Sequence, residues 1–183
     1  TGGSGGTALT FSYTVAAGQN TADLIVSSLN LNGATITDGN GNAANLTGAA
    51  SFNPAGTLQI DTTAPTIASI VATGAGISNG SGNVSTGQVV TLTVNASEPV
   101  TVNTSGGTPT LALNDGGTAS YSGGSGSNSL TFSYAVAAGQ TTSDLSVSSL
   151  NLNGAVISDS AGNTANLSGA TNYNPAGILQ VNT

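Results

Sequence analysis

The sequence predicts an all-β protein, an antiparallel β-sandwich built as a repeat, and three observations carry that expectation. Apolar residues alternate with Thr, Ser and Asn in short runs, as in Leu9-Thr10-Phe11-Ser12-Tyr13 and Val90-Thr91-Leu92-Thr93-Val94. That period of two belongs to a strand with one buried and one wet face. No stretch shows helical periodicity. Third, residues 9–19 (LTFSYTVAAGQ) return as residues 130–140 (LTFSYAVAAGQ), an offset of 121 residues that runs without a gap to the C-terminus with about two-thirds of the paired positions identical. Self-similarity at a fixed period marks an array of like units.

At that period the 183 residues make about one and a half units. Residues 1–63 read as the C-terminal half of one unit and residues 64–183 as one nearly complete unit. A whole unit can bury roughly two-thirds of its unfolded surface and hold its own core. The leading half is not expected to close a core alone.

Along the chain, the run TGGSGG at residues 1–6 matches residues 122–127, which lie between two strand patterns, so both read as hairpin loops. Leu9, Phe11, Tyr13 and Val15 form the apolar face of the next strand. After it, Leu24 and Val26 lie on one phase and Leu29 and Leu31 on the other. The slip falls at Ser27-Ser28 and recurs at Ser148-Ser149, as a β-bulge would produce. Asn32-Gly33 is a tight-turn pair before a short strand, Thr35-Ile36-Thr37. Residues 38–48 are a polar loop, Asn53-Pro54-Ala55-Gly56 a turn, and residues 57–61 a closing strand. The complete unit opens with Ile67, Ile70 and Val71, followed by a long Gly/Ser/Asn loop over 74–87. Strands are then expected at 90–94, after Glu98-Pro99 through Val100 and Val102, at Leu111 and Leu113, and at 118–122 beyond the turn Asp115-Gly116-Gly117. Phe11, Tyr13, Phe132 and Tyr134 lie on the apolar phase and are expected in the core, with Phe52 and Tyr173 plugging the sandwich end.

Composition excludes several functions. The chain has no Lys, Arg, His, Cys, Met or Trp, and its seven acids give a formal charge of −7. Nucleic-acid binding needs cations facing phosphates, and attraction to an anionic membrane surface fails for the same reason. No run reaches the roughly 20 apolar residues of a membrane span, so no membrane insertion is expected. With no His, Cys or Lys to activate a nucleophile, an enzyme is not expected either.

The motifs DTTAP (Asp61–Pro65), SEPV (Ser97–Val100), the LTFSY-VAAGQ strand and turn, and the D-x-x-G-N loops at Asp38–Asn42 and Asp159–Asn163 together resemble bacterial immunoglobulin-like repeats. Such repeats occur in tandem in large surface adhesins and biofilm-associated proteins. The resemblance covers the whole chain and implies an immunoglobulin-like sandwich, an extracellular location at the cell surface or in a secreted matrix, and a structural spacer or assembly role. Neighbouring repeats or copies of the same chain are the implied partners. The second copy departs from the pattern at the junction, where Asn182 stands in the place of Asp61.

An acidic chain without cations has a bound metal ion as its natural counter-charge. Zinc and other transition metals lack their imidazole and thiolate ligands here, which leaves calcium. In Asp38-Gly39-Asn40-Gly41-Asn42 three oxygen-bearing side chains alternate with glycines, like the opening of an oxygen-ligand calcium loop, though no bidentate glutamate follows. The second copy keeps Asp159 and Asn163 and loses the middle ligand. Asp61 and Glu98 form another candidate pair near the boundary of the units, where calcium would stiffen a joint. Two other expectations concern surfaces. The half-unit at 1–63, with open strand edges, could be completed by strands of another chain and so propagate a filament. The exposed Thr/Ser/Asn face could instead bind a surface glycan or ice.

Overall fold

The computed structural model describes residues 2–183. It divides into two units, Thr1–Thr63 and Ala64–Thr183. In the second, the alternating sequence forms nine strands: β1 (Ile67–Gly74), β2 (Gly82–Val84), β3 (Val89–Asn103), β4 (Thr110–Leu113), β5 (Thr118–Gly123), β6 (Ser127–Ala135), β7 (Val147–Asn151), β8 (Val156–Ser158) and β9 (Leu179–Val181). One curled sheet runs β1-β3-β6-β5-β4-β7, with β8 also paired to β3, and every one of these pairings is antiparallel. β2 and β9 form a separate parallel pair.

The core sits on the phase that the alternation defines. Val90, Leu92, Val94, Ala96, Val100 and Val102 of β3 are all buried, and the register sets Val90 opposite Tyr134, Leu92 opposite Phe132 and Val94 opposite Leu130 of β6. Tyr121 of β5 meets the Phe132 ring edge-on at a centroid distance of 5.7 Å, a favoured aromatic geometry. The expected bulge is present. Ala112 pairs with Ser149 and Leu113 with Val147, so Ser148 is the unpaired residue. Burial pushes the Tyr134 phenol above its usual range, reinforced by its hydrogen bond to Asp115 and that carboxylate's charge.

Three features differ from the sequence-based expectation. The segments on either side of Glu98-Pro99 form one strand, not two. Pro99 has no N–H to donate, and the pairing of β3 with β6 is interrupted there, between Asn95 and Val100, while the strand itself continues. Second, the 74–87 loop contains β2, a strand of Gly82-Asn83-Val84 whose pairing with β9 supplies what its composition does not. A one-turn 3-10 segment lies at Ser168–Ala170, with Ala170 buried.

The third difference concerns the first unit. Its regular pairing among the described residues consists of single bridges, Gly2–Thr10, Thr21–Ile60, Val26–Phe52 and Thr37–Ala43, plus a 3-10 turn at Thr47–Ala49. The strands expected at 9–15, 24–31 and 57–61 form no ladders and carry only these single bridges. Phe11 is 65% exposed where Phe132 is 0%, and Tyr13 is 54% exposed where Tyr134 is 1%. Leu9, Val15, Val26, Phe52 and Leu58 are also exposed. The expectations that Phe11 and Tyr13 are core and that Phe52 plugs the sandwich end are therefore corrected. Burying an aromatic or aliphatic side chain of this kind gains about 1.5–3 kcal/mol, and the first unit forgoes that gain at each position.

The local framework of the first unit is nevertheless that of the second. Tyr13 Oη donates to Gln19 Oε1 at 2.6 Å, and Tyr134 Oη shares its one proton between Asp115 Oδ2 and Gln140 Oε1, the latter at 2.7 Å. Asp23 accepts from Asn53 Nδ2 at 2.9 Å and from Leu58 N at 3.0 Å, and Asp144 accepts from Asn174 and Leu179 at the same two distances. These hydrogen bonds join residues 6 to 35 positions apart within the first unit, and they form while its apolar face stays exposed.

Candidate metal centre

The two D-x-x-G-N loops fold alike, and their aspartates serve first as turn acceptors. Asp38 Oδ1 accepts from the backbone N–H of Asn40 and of Asn42, both at 2.9 Å, and Oδ2 accepts from Asn42 Nδ2 at 2.8 Å. Asp159 accepts from the backbone N–H of Asn163 at 2.8 Å and from Asn163 Nδ2 at 2.7 Å. Asn42 thus turns its amide N–H, not an oxygen, toward the aspartate, and the side-chain bonds are those of an Asx turn. Asp38, Asn40 and Asn42 are all exposed. The hydrogen bonds from Asn42 and Asn40 hold the Asp38 carboxyl below the usual carboxylate range.

Asp159 differs from Asp38 in its surroundings. It is 5% exposed and is the buried polar or charged residue among the described residues of the core. The β3–β8 register places it there: Thr101 pairs with Ser158 and Val102 with Ile157, so Asp159 continues the inward phase of Ile157 beyond the end of β8. Glu98 also lies on the inward phase of its strand, between Ala96 and Val100, and is half-buried. The two acids meet. Carboxylate oxygens of Glu98 and Asp159 lie within 4.8 Å of each other. Asp61, at the end of the first unit, is half-buried and its Oδ1 caps the N–H of Thr63 at 2.9 Å.

The electrostatics follow from the composition. Burial pushes the Asp159 carboxyl upward, but the hydrogen bonds from Asn163, Ala161 and Gly162 outweigh it, and the net shift is downward. Asp159 is therefore ionised at neutral pH. Two ionised carboxylates at 4.8 Å, the upper bound of this separation, repel by about 3 kcal/mol at an effective dielectric near 20, less where solvent screens them. The sequence has no Lys, Arg or His to offset that repulsion. Two oxygens on one calcium ion, each about 2.4 Å from it, stand at most about 5 Å apart, so the observed separation fits a shared cation.

The pH dependence has a definite sign. A depressed folded-state pKa contributes stability above the unfolded value, near 4, and that stability is lost as pH falls through the folded pKa. With a chelator present, the melting midpoint of the second unit is expected to hold down to about pH 4 and to drop below it. Asp159→Asn is expected to flatten that drop, and an unchanged acid slope in the variant would remove Asp159 from the account.

Sequence reasoning singled out Asp38, Asn40, Asn42, Asp61, Glu98, Asp159 and Asn163. The structure leaves the first three in an exposed turn and brings Glu98 and Asp159 together, with Asn163 bonded to Asp159. Glu98 was paired in the sequence reading with Asp61 alone. The missed signal was its phase, since it follows Val94 and Ala96 at a spacing of two.

An all-β chain with a curled antiparallel sheet and an inward-facing acid pair is the class these observations define. No protein-family model, curated protein or solved structure matches the chain. No helix among the described residues is long and apolar enough to cross a membrane.

Proposed function

We propose that the chain is a non-catalytic structural module, an immunoglobulin-like β-sandwich repeat of an extracellular array, stiffened by calcium. The observation that carries this reading is the recurrence of one hydrogen-bond framework at a 121-residue offset: the Tyr–Gln, Asp–Asn and Asp–Leu bonds of the first unit each have a counterpart in the second. Repetition of scaffold bonds, with no His, Cys or Lys in the composition to activate a nucleophile, suits a spacer that extends and positions other parts of a polypeptide. The resemblance to adhesin repeats supports the extracellular setting.

In this reading Glu98 and Asp159 hold the cation. Backbone carbonyls and water would complete an oxygen set for calcium. A ligand that binds only the folded state raises stability by about 2.7 kcal/mol at a hundredfold excess over its dissociation constant. Millimolar calcium is expected to raise the melting midpoint of the chelator-treated protein, and Glu98→Gln to abolish most of the rise. Asp38→Asn is expected to leave it intact. A midpoint indifferent to calcium would remove the metal, and a calcium response lost in Asp38→Asn but kept in Glu98→Gln would move it to the exposed loop. For the spacer role itself, a glycan array and an ice-recrystallisation assay are expected to be negative; specific binding in either would replace the spacer with a recognition module.

A further inference from the structure

The exposed apolar face of the first unit has a counterpart whose covering is visible. Phe11, Tyr13, Val26, Leu46 and Phe52 line a groove of about 780 Å³. In the second unit the same face is closed by residues from 64–121: Leu92 stands opposite Phe132, Val90 opposite Tyr134, and Tyr121 against the Phe132 ring. Asp115 Oδ2 accepts from Tyr134 Oη at 2.5 Å. β2 covers the closing strand, pairing Gly82–Val84 with Leu179–Val181. The side chains awaiting these partners in the first unit are the same ones: Leu9, Phe11, Tyr13, Val26 and Leu58 match Leu130, Phe132, Tyr134, Val147 and Leu179.

We propose that this face is the docking surface for a strand-forming segment with the chemistry of residues 64–121. The register follows from the repeat. A residue like Val90 lies opposite Tyr13, one like Leu92 opposite Phe11 and one like Val94 opposite Leu9, and an acid like Asp115 accepts from the Tyr13 hydroxyl. A second copy of this chain does not satisfy the face. Each copy carries two faces of this kind and one covering segment, so any exchange between copies uncovers one face for each it covers. The inference is independent of the calcium reading, because neither the groove residues nor the residues like Val90, Leu92, Val94 and Asp115 that face them include Glu98 or Asp159.

Residues 64–121 placed again ahead of Thr1 put Tyr121 directly before the counterpart of Ser122, which restores the native register at both units. The chain contains no Trp, so Phe52→Trp supplies a single indole at a position whose counterpart, Tyr173, is only partly buried and leaves room for it. In the parent chain the indole is expected to emit like an exposed tryptophan and to be fully open to an aqueous quencher. In the extended chain its emission is expected to shift to the blue, quenching to fall severalfold, and Phe11→Asp to restore the exposed signal without lowering the melt of the second unit. The polypeptide 64–121 added in trans to the parent is the second arm, expected to bury the indole at a one-to-one ratio. An indole still exposed in both arms would overturn the proposal. Burial in the parent alone, rising with concentration alongside a dimer in sedimentation, would overturn it in favour of self-association.

Discussion

Phe132→Ala is expected to destabilise the second unit by about 3–5 kcal/mol, and Phe11→Ala, the same substitution in the matching strand, by less than about 0.5 kcal/mol. Phe132 is fully buried, faces Leu92 across the β3–β6 ladder and takes the edge of Tyr121. Truncation there loses the transfer energy of the ring and leaves a cavity that a surrounding sheet cannot collapse to fill. Phe11 has the same neighbours in sequence, Thr10 and Ser12 matching Thr131 and Ser133, yet 65% of it is exposed, so its removal creates no cavity. At roughly 4 °C per kcal/mol for a unit of this size, the first variant is expected to lower the calorimetric midpoint by about 12–20 °C. The second is expected to leave the trace unchanged. Comparable losses in the two variants would mean that the first unit is buried in solution, and the contrast between the units would fail.

That pair of variants also marks where the sequence stops informing. The strand phases, the slip at Ser148, and the Asn-Gly turns were legible because they depend on a few adjacent residues: alternation sets which side chains share a face, and turn geometry sets which residues tolerate positive φ. Burial is another matter. Phe11 and Phe132 are indistinguishable locally, and Phe132 is buried by strand pairings with residues tens of positions away in the chain, such as Leu92. The same holds for the acid pair. Asp38 and Asp159 sit in near-identical turns and accept equivalent hydrogen bonds from Asn42 and Asn163. Only the pairing of β8 with β3 buries Asp159 and brings Glu98 to it, and such long-range register is not written in either loop. β2 was missed for a related reason, since Gly82-Asn83-Val84 has little strand propensity and is held by its partner β9.

Gly154→Ala and Gly33→Ala separate local strain from packing at one repeated turn. Asn153 and Gly154 have φ of 52° and 92°, and Asn32 and Gly33 have 49° and 88°, so each pair occupies the two left-handed positions of a primed tight turn. Alanine at either glycine meets the same backbone penalty, about 1–2 kcal/mol. Their surroundings differ. A Cβ on Gly154 would lie 2.5 Å from the carbonyl oxygen of Gly106, whereas a Cβ on Gly33 would meet nothing within 4 Å. The obstacle at Gly154 is backbone, and it cannot swing aside as a flexible side chain would. Asn153 Nδ2 further ties the turn to the Thr108 carbonyl at 2.9 Å and to Thr110 Oγ1 at 3.0 Å. Relief of the clash therefore has to move the Gly106-Gly107 loop away from the β7–β8 turn, at a further cost of about 1–3 kcal/mol. Urea titration of the second unit is expected to show a total loss of about 2–5 kcal/mol for Gly154→Ala and no change for Gly33→Ala, whose strain falls in a unit without a packed core. A Gly154→Ala midpoint within error of the parent would show that the loop yields freely, and that the close approach contributes nothing to holding β7, β8 and the buried Asp159 in place.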